Sequence, residues 1–208
     1  METVRLGNRS PWVTIWTMPR ATIRKILDTN PKHMVLLLAM LGGFAYALSR
    51  FSGGDIDIVF PVPIVLLICT IVGSIGGVIS LYIGGALLSW TGRWIGGQAS
   101  PTYVRAAIAW SYIPLIWALI IYIPEFVLLM KRLSINRTVD INTNPLLFFT
   151  LFGFIALKFI VGIWAFIIFL KCLGEAQRFS AWKALGNLFL GGVVPMVPVM
   201  IVKSFISL

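Results

Sequence analysis

The 208-residue chain has 59% hydrophobic and 12% charged residues and a mean hydropathy of +0.94, so it is far more apolar than a soluble domain. The net charge is +10, and the Lys and Arg residues that produce it lie between and before apolar runs. This placement argues against nucleic-acid binding and favours contact with anionic lipid headgroups. Because a spanning helix needs roughly 20 mostly apolar residues, this length predicts several membrane spans and no separate soluble domain.

The first 32 residues are predicted to form a cytoplasmic, interfacial segment, and residues 33–208 the transmembrane bundle. After Pro19, apolar residues fall on one face of an amphipathic helix and basic residues on the other side. The residues expected to contact the membrane surface are Trp12, Trp16, Arg20, Arg24 and Lys25. The segment is interpreted either as an anchor for anionic lipid or as a flank that stabilises the bundle.

Apolar runs long enough to cross a bilayer fill the rest of the chain. They predict an all-α, polytopic transmembrane helix bundle of about five spans. The expected spans are residues 33–49, 60–90, 104–129, 146–170 and 185–208. Pro61 and Pro63 disfavour regular helix near the start of the second run, which is therefore either one long tilted helix or an interfacial turn followed by a span.

The distribution of Lys and Arg predicts the orientation, because loops rich in these residues stay cytoplasmic. The count places the N-terminus in the cytoplasm and the C-terminus on the opposite face of the plasma (inner) membrane. The loop with Lys131, Arg132 and Arg137 disagrees with this orientation, because its basic residues fall on the face opposite the cytoplasm.

Small residues recur every three or four positions along the second span and leave one helix face nearly bare. Gly73 and Gly77 form a GxxxG pair, a spacing that lets helix backbones approach closely in lipid. The residues predicted to serve helix packing or an oligomer interface are Gly73, Gly76, Gly77, Ser80 and Gly84. Packing inside one chain and assembly into a homo-oligomer are the two interpretations.

Lys158 lies near the middle of the fourth span, where a charge is costly and is normally turned toward a partner or a water-filled cavity. One interpretation is a lysine that holds an anionic headgroup or ion; the other is a lysine paired with Glu125 or with polar groups such as Tyr112. The candidate ligand-binding residues are Lys158, Glu125, Tyr112 and Arg105.

Catalytic chemistry finds no support in the sequence. His33, the single histidine, precedes the first span, and no GxSxG elbow or phosphate-binding glycine loop is present. Cys69 and Cys172 form neither a CxxC pair nor part of a His cluster, so no zinc site is expected. We therefore expect no enzyme activity, no catalytic residues, no metal and no cofactor.

The stretch GGALLSWTGRWIGGQASPTYVRAAIAWSYIP, Gly84–Pro114, resembles the Yip (Ypt/Rab-interacting protein) membrane-domain family in its short bacterial form. The positions that carry the resemblance are Gly96, Gly97, Ser100, Tyr112 and Pro114. The segment LGEAQRFSAWKAL, Leu173–Leu185, resembles the cytoplasmic loop before the last span of bacterial members. The resemblance implies a five-span bundle with a cytoplasmic N-terminus. Eukaryotic relatives are linked to Rab GTPases and vesicle traffic, and the lack here of their long cytosolic N-terminal region argues against GTPase binding.

The expected function is that of a non-enzymatic membrane protein that binds lipid or protein partners within the bilayer, in membrane organisation or trafficking. Membrane lipids, anionic ones above all, are the expected partners, with neither nucleic acid nor a soluble substrate indicated. The alternative is a small transporter or channel in which Lys158 and Glu125 line a polar cavity.

Overall fold

A computed structural model describes the backbone of residues 10–52, 61–126 and 145–206, and every regular element in these ranges is helical. The predicted all-α class is therefore confirmed. The helices are α1 (Pro11–Thr17), α2 (Pro19–Thr29), α3 (Val35–Ser52), α4 (Val62–Ile68), α5 (Ser74–Trp94), α6 (Pro101–Ser111), α7 (Ile113–Trp117), α8 (Leu119–Phe126), α9 (Pro145–Gln177) and α10 (Ala181–Ile206). The predicted loop with Lys131, Arg132 and Arg137 lies outside the described residues.

Two helices of the described chain are long and apolar enough to cross a membrane, Pro63–Trp94 and Phe149–Gln177. A third candidate is the bent pair Pro101–Trp117 and Leu119–Phe126. Val35–Phe51 is apolar but shorter, and the last predicted span extends beyond the side chains that the structure describes. The count of five spans stays a prediction.

The second apolar run is one continuous helix from Pro63 to Trp94. The helix α4 begins at Val62, so Pro63 occupies its first turn, where a missing N–H removes no intrahelical bond. A π-helical turn, Cys69–Gly73, separates α4 from α5 without ending the helix. The alternative of an interfacial turn before a shorter span is not what the structure shows.

The helix through residues 101–126 is broken twice. Pro114 has no N–H to donate one turn back, and the helix is interrupted at Tyr112, between α6 and α7. The axis then bends by 46° between Trp117 and Leu119, ahead of Pro124. These breaks place the short helix α8, which carries Glu125, in a direction different from that of α7.

The described residues divide into two compact units. The first unit contains 10–35, 80–111 and 167–206, and the second contains 36–52, 61–79, 112–126 and 145–166. In the first unit, α1 packs on α2 and α2 packs on α6. In the second, Leu48, Val65 and Cys69 form a buried apolar cluster with Ala118, Tyr122 and Phe126.

Candidate functional site

The intramembrane lysine is held by an ion pair. Nζ of Lys158, on α9, lies 2.7 Å from Oε1 of Glu125, on α8, and donates a hydrogen bond to it. The two side chains are 20% and 5% exposed. Oε2 of Glu125 is buried without a hydrogen-bond partner among the described residues. The geometry therefore agrees with the paired interpretation of Lys158, while one carboxylate oxygen remains unsatisfied.

Apolar side chains lie beside Lys158 on α9. Ile155, Phe159, Ile163 and Phe166 line, together with Lys158 and Gly162, an open groove of about 560 Å³ on the outer side of α9. The methylene stem of a lysine can line such a surface while its ammonium group finds a polar partner. Here the ammonium group turns to Glu125, so the groove itself offers few polar groups to a ligand.

The other two candidate ligand-binding residues have different neighbours. The Tyr112 ring lies against Gly42, where an added Cβ would come within 2.6 Å of Tyr112 Cδ2. The Arg105 guanidinium stacks over the Tyr82 ring at 4.5 Å and donates hydrogen bonds to Pro101 O and Thr102 Oγ1. Of the four predicted residues, the structure brings Lys158 and Glu125 together.

The GxxxG pair packs against another helix of the same chain. A Cβ on Gly77 would come within 2.8 Å of Gly43 Cα, and one on Gly73 would meet Ala47 Cβ, also at 2.8 Å. Ala39, Gly43 and Ala47 form a matching stripe of small residues on α3, so the two backbones are nearly in contact. Larger side chains at these contacts would force the helices apart.

The remaining small residues of this face are not used in the same way. Gly76 has open space where a Cβ would stand, and Ser80 is exposed. At Gly84 a Cβ would lie in ordinary contact with Ile108 Cδ1, at 3.9 Å. The close approach thus depends on Gly73 and Gly77, and the others leave part of the face uncovered.

The N-terminal segment is amphipathic as predicted, but its apolar face is buried in protein. Ile23 is fully buried, Ile26 and Leu27 nearly so, while Arg20, Arg24 and Lys25 are exposed. Trp12 makes an edge contact with the buried Trp110, with the ring centroids 6.5 Å apart, and Trp16 is half-buried. Two hydroxyl groups join the helices, since Thr22 Oγ1 donates to Thr14 Oγ1 at 2.9 Å. The segment therefore packs on α6 as a flank of the bundle and presents its basic side outward.

A buried polar network was missed by sequence reasoning. Gln177 and Asn187 are fully buried, and their side-chain amides both donate to Leu88 O at 2.9 Å. Gln177 Oε1 accepts from the Ala99 N–H, and Thr91 Oγ1 contacts Asn187 Oδ1 at 2.6 Å. An available signal was the presence of amide side chains beside apolar runs, where buried polar groups need partners.

This network joins the two stretches that carried the family resemblance. Gln177 belongs to the LGEAQRF segment, and it contacts Gly92 and Gly97 of the Gly84–Pro114 stretch so closely that neither glycine has room for a Cβ. Gly96 adopts a φ of +89°, in the left-handed region that favours glycine, where α5 ends. The two sequence motifs therefore build one structural junction.

Long apolar helices and the absence of strands from the described ranges define an integral membrane protein of the all-α class. A family model described as the Yip1 domain matches residues 13–202. The chain belongs to the Yip1 domain family, which confirms the resemblance seen in its sequence. Neither a curated protein nor a solved structure matches the chain.

Proposed function

We propose that this chain is a non-enzymatic, Yip-type membrane protein that binds lipid or protein partners within the bilayer and so contributes to membrane organisation or trafficking. The observation that carries the proposal is the high exposure of the apolar helix α9. Of the apolar 18-residue stretch within Phe149–Gln177, only 6% is buried, against 28% of the corresponding stretch within Pro63–Trp94. A spanning helix that the described part of the chain leaves largely uncovered has a surface available to lipid or to another protein.

The exposed surface of α9 is made of large apolar side chains. Among them are Ile155, Leu157, Phe159, Ile160, Ile163, Trp164 and Phe166. In lipid, helices associate through van der Waals packing, and the groove beside Phe159 and Ile163 gives a partner helix or an acyl chain a concave surface to fill. The apolar contact area of this surface supports a binding role within the bilayer.

A small transporter or channel is the second candidate, and the unsatisfied Oε2 of Glu125 is the observation that favours it. A buried carboxylate beside a lysine resembles the ionisable pairs that line ion pathways. The ion pair itself supports the binding role instead, because the Lys158 ammonium is occupied and the adjoining groove is apolar.

Native mass spectrometry of the full chain from mild detergent tests the binding role by reading retained lipid and subunit number together. We expect the wild-type chain to retain phospholipid or a second protein subunit. The double variant F159A/I163A should lose most of that retention, because these residues are 69% and 47% exposed on one face of α9.

The matched control is I75A/I79A, which removes two exposed isoleucines at the same spacing from α5. This control should retain its partners as the wild type does. Equal loss in both double variants, or no retained partner on the wild-type chain, would contradict the proposal.

A further inference from the structure

A polar pocket in the first unit plays no part in the α9 surface. It encloses about 620 Å³ between α2, α6 and the turn from α9 to α10. Three arginines line it, Arg20 and Arg24 from α2 and Arg178 from the turn, together with the carboxylates Asp28 and Glu175. Tyr103 adds a phenol group to the wall. Three positive charges against two negative ones leave the pocket with one net positive charge.

The charges in the pocket are not all neutralised in place. Arg24 pairs with Glu175, and its Nε donates to Glu175 Oε1 at 2.6 Å. Within the described chain, neither Arg20 nor Arg178 has a carboxylate at ion-pair distance. Two guanidinium groups therefore face the pocket with donors that an anion can use, and guanidinium groups suit phosphate oxygens because they can donate two parallel hydrogen bonds.

The backbone at Arg178 adds an independent observation. Arg178 ends α9 with a φ of +59°, while the Phe179 N–H donates to Gly174 O at 2.8 Å. This is the left-handed position of a helix C-terminus, which glycine fills most easily. An arginine held there costs about 1 kcal/mol in backbone conformation, a strain that is typically retained where the side chain has a function.

The position of the pocket along α9 indicates which kind of anion is available to it. The candidate membrane span Phe149–Gln177 ends directly before Arg178, so the pocket lies at the end of this helix, where it would leave the hydrocarbon region. Trp182, 83% exposed just after the turn, is the kind of residue that lies at headgroup depth. A phosphodiester in the interface carries one negative charge, which matches the one net positive charge of the pocket.

We propose that this pocket binds the phosphodiester of an anionic phospholipid headgroup, with Arg178 and Arg20 donating to the phosphate oxygens and Glu175 holding Arg24 at the wall. The inference adds a named ligand class to the partner-binding role proposed above. It uses none of the α9 surface residues, so the two proposals can fail separately.

Isothermal titration calorimetry on the full chain in uncharged detergent tests the site. The titrants are dihexanoyl phosphatidylglycerol, dihexanoyl phosphatidylcholine and inorganic phosphate. We expect saturable binding of phosphatidylglycerol, and binding of the other two that is at least about tenfold weaker. Tighter binding of inorganic phosphate would overturn the lipid assignment, and no binding of phosphatidylglycerol would overturn the site.

The decisive variant is Arg178→Gly, because glycine suits the backbone there, so the whole side chain with its guanidinium is removed without adding backbone strain. Its thermal unfolding midpoint should equal or exceed that of the wild type, while phosphatidylglycerol binding weakens about tenfold. Arg20→Gln should weaken binding by a similar factor. The matched control Arg93→Gln removes an exposed arginine outside the pocket and should leave the affinity within about twofold. Wild-type affinity in Arg178→Gly, or an equal loss in Arg93→Gln, would reject the pocket in favour of general electrostatic attraction.

Discussion

In the second unit, helices meet backbone to backbone at glycines, and the ion pair Lys158–Glu125 is largely buried, with an apolar groove beside Lys158. In the first unit, buried amides tie the loops to the helices, and the ion pair Arg24–Glu175 lies at the wall of an open, polar pocket. The two units thus contain the same kind of bond in opposite surroundings. Removing one partner of a buried ion pair should therefore cost much stability, whereas a more exposed pair with spare arginines beside it can form part of a binding site.

The largest effect on stability should come from breaking the buried Lys158–Glu125 pair. Lys158→Met leaves Glu125 buried without its counter-ion, and we expect a loss of about 3–5 kcal/mol in unfolding free energy. The double variant Lys158→Met/Glu125→Met removes both charges and should recover most of that loss. Thermal or denaturant unfolding in mild detergent measures both. A double variant no more stable than the single one would show that the pair does not act through mutual neutralisation.

The next largest effect should come from the glycine contact. Gly77→Leu forces a side chain into the backbone of α3, at a cost of about 3 kcal/mol in unfolding free energy. Gly76→Leu, one residue away, enters open space and should change the stability by less than about 0.5 kcal/mol. Unfolding midpoints of the two variants, with subunit number from light scattering, provide the measurement. Equal stability of the two would remove the role assigned to close packing in the second unit.

A smaller effect is expected from the amide network of the first unit. Gln177→Ala deprives the buried Ala99 N–H of its acceptor and should lower the unfolding free energy by about 2 kcal/mol. Gln98→Ala changes an exposed amide of the same loop and should be nearly neutral. Hydrogen exchange at the 95–100 loop should increase in the first variant alone. Unchanged exchange in Gln177→Ala would mean that the loop is held by other contacts.

The smallest effect should come from the open pair. Arg24 is 56% exposed, so Arg24→Gln should change the unfolding free energy by less than about 1 kcal/mol. The difference from Lys158→Met is the sharpest form of the comparison, since each change removes one partner of a hydrogen-bonded ion pair. Similar losses in the two variants, measured under the same detergent conditions, would erase the distinction between the units.

Composition and periodicity were enough to predict the helical class and the amphipathic N-terminal helix. The family was predicted from the resemblance of Gly84–Pro114 and Leu173–Leu185 to known members, and the family match confirms it. The Lys158–Glu125 pair was one of several arrangements left open, because sequence spacing does not determine which helices become neighbours. The stripe of Ala39, Gly43 and Ala47 was missed because it contains one glycine and so forms no GxxxG pair of the kind that marked the second span. Gln177 and Arg178 were missed because an amide beside an apolar run signals a buried polar group without naming its partners, and the sequence does not tell that Arg178 adopts a positive φ.

The most direct test between the binding role and the transporter or channel alternative is a flux measurement on the purified chain in liposomes. Proton and chloride fluxes, read by enclosed fluorescent dyes, should equal those of protein-free vesicles for the wild type and for Lys158→Met/Glu125→Met alike. A flux carried by the wild-type chain and abolished in the double variant would contradict the binding role, because it would make the Lys158–Glu125 pair part of an ion pathway.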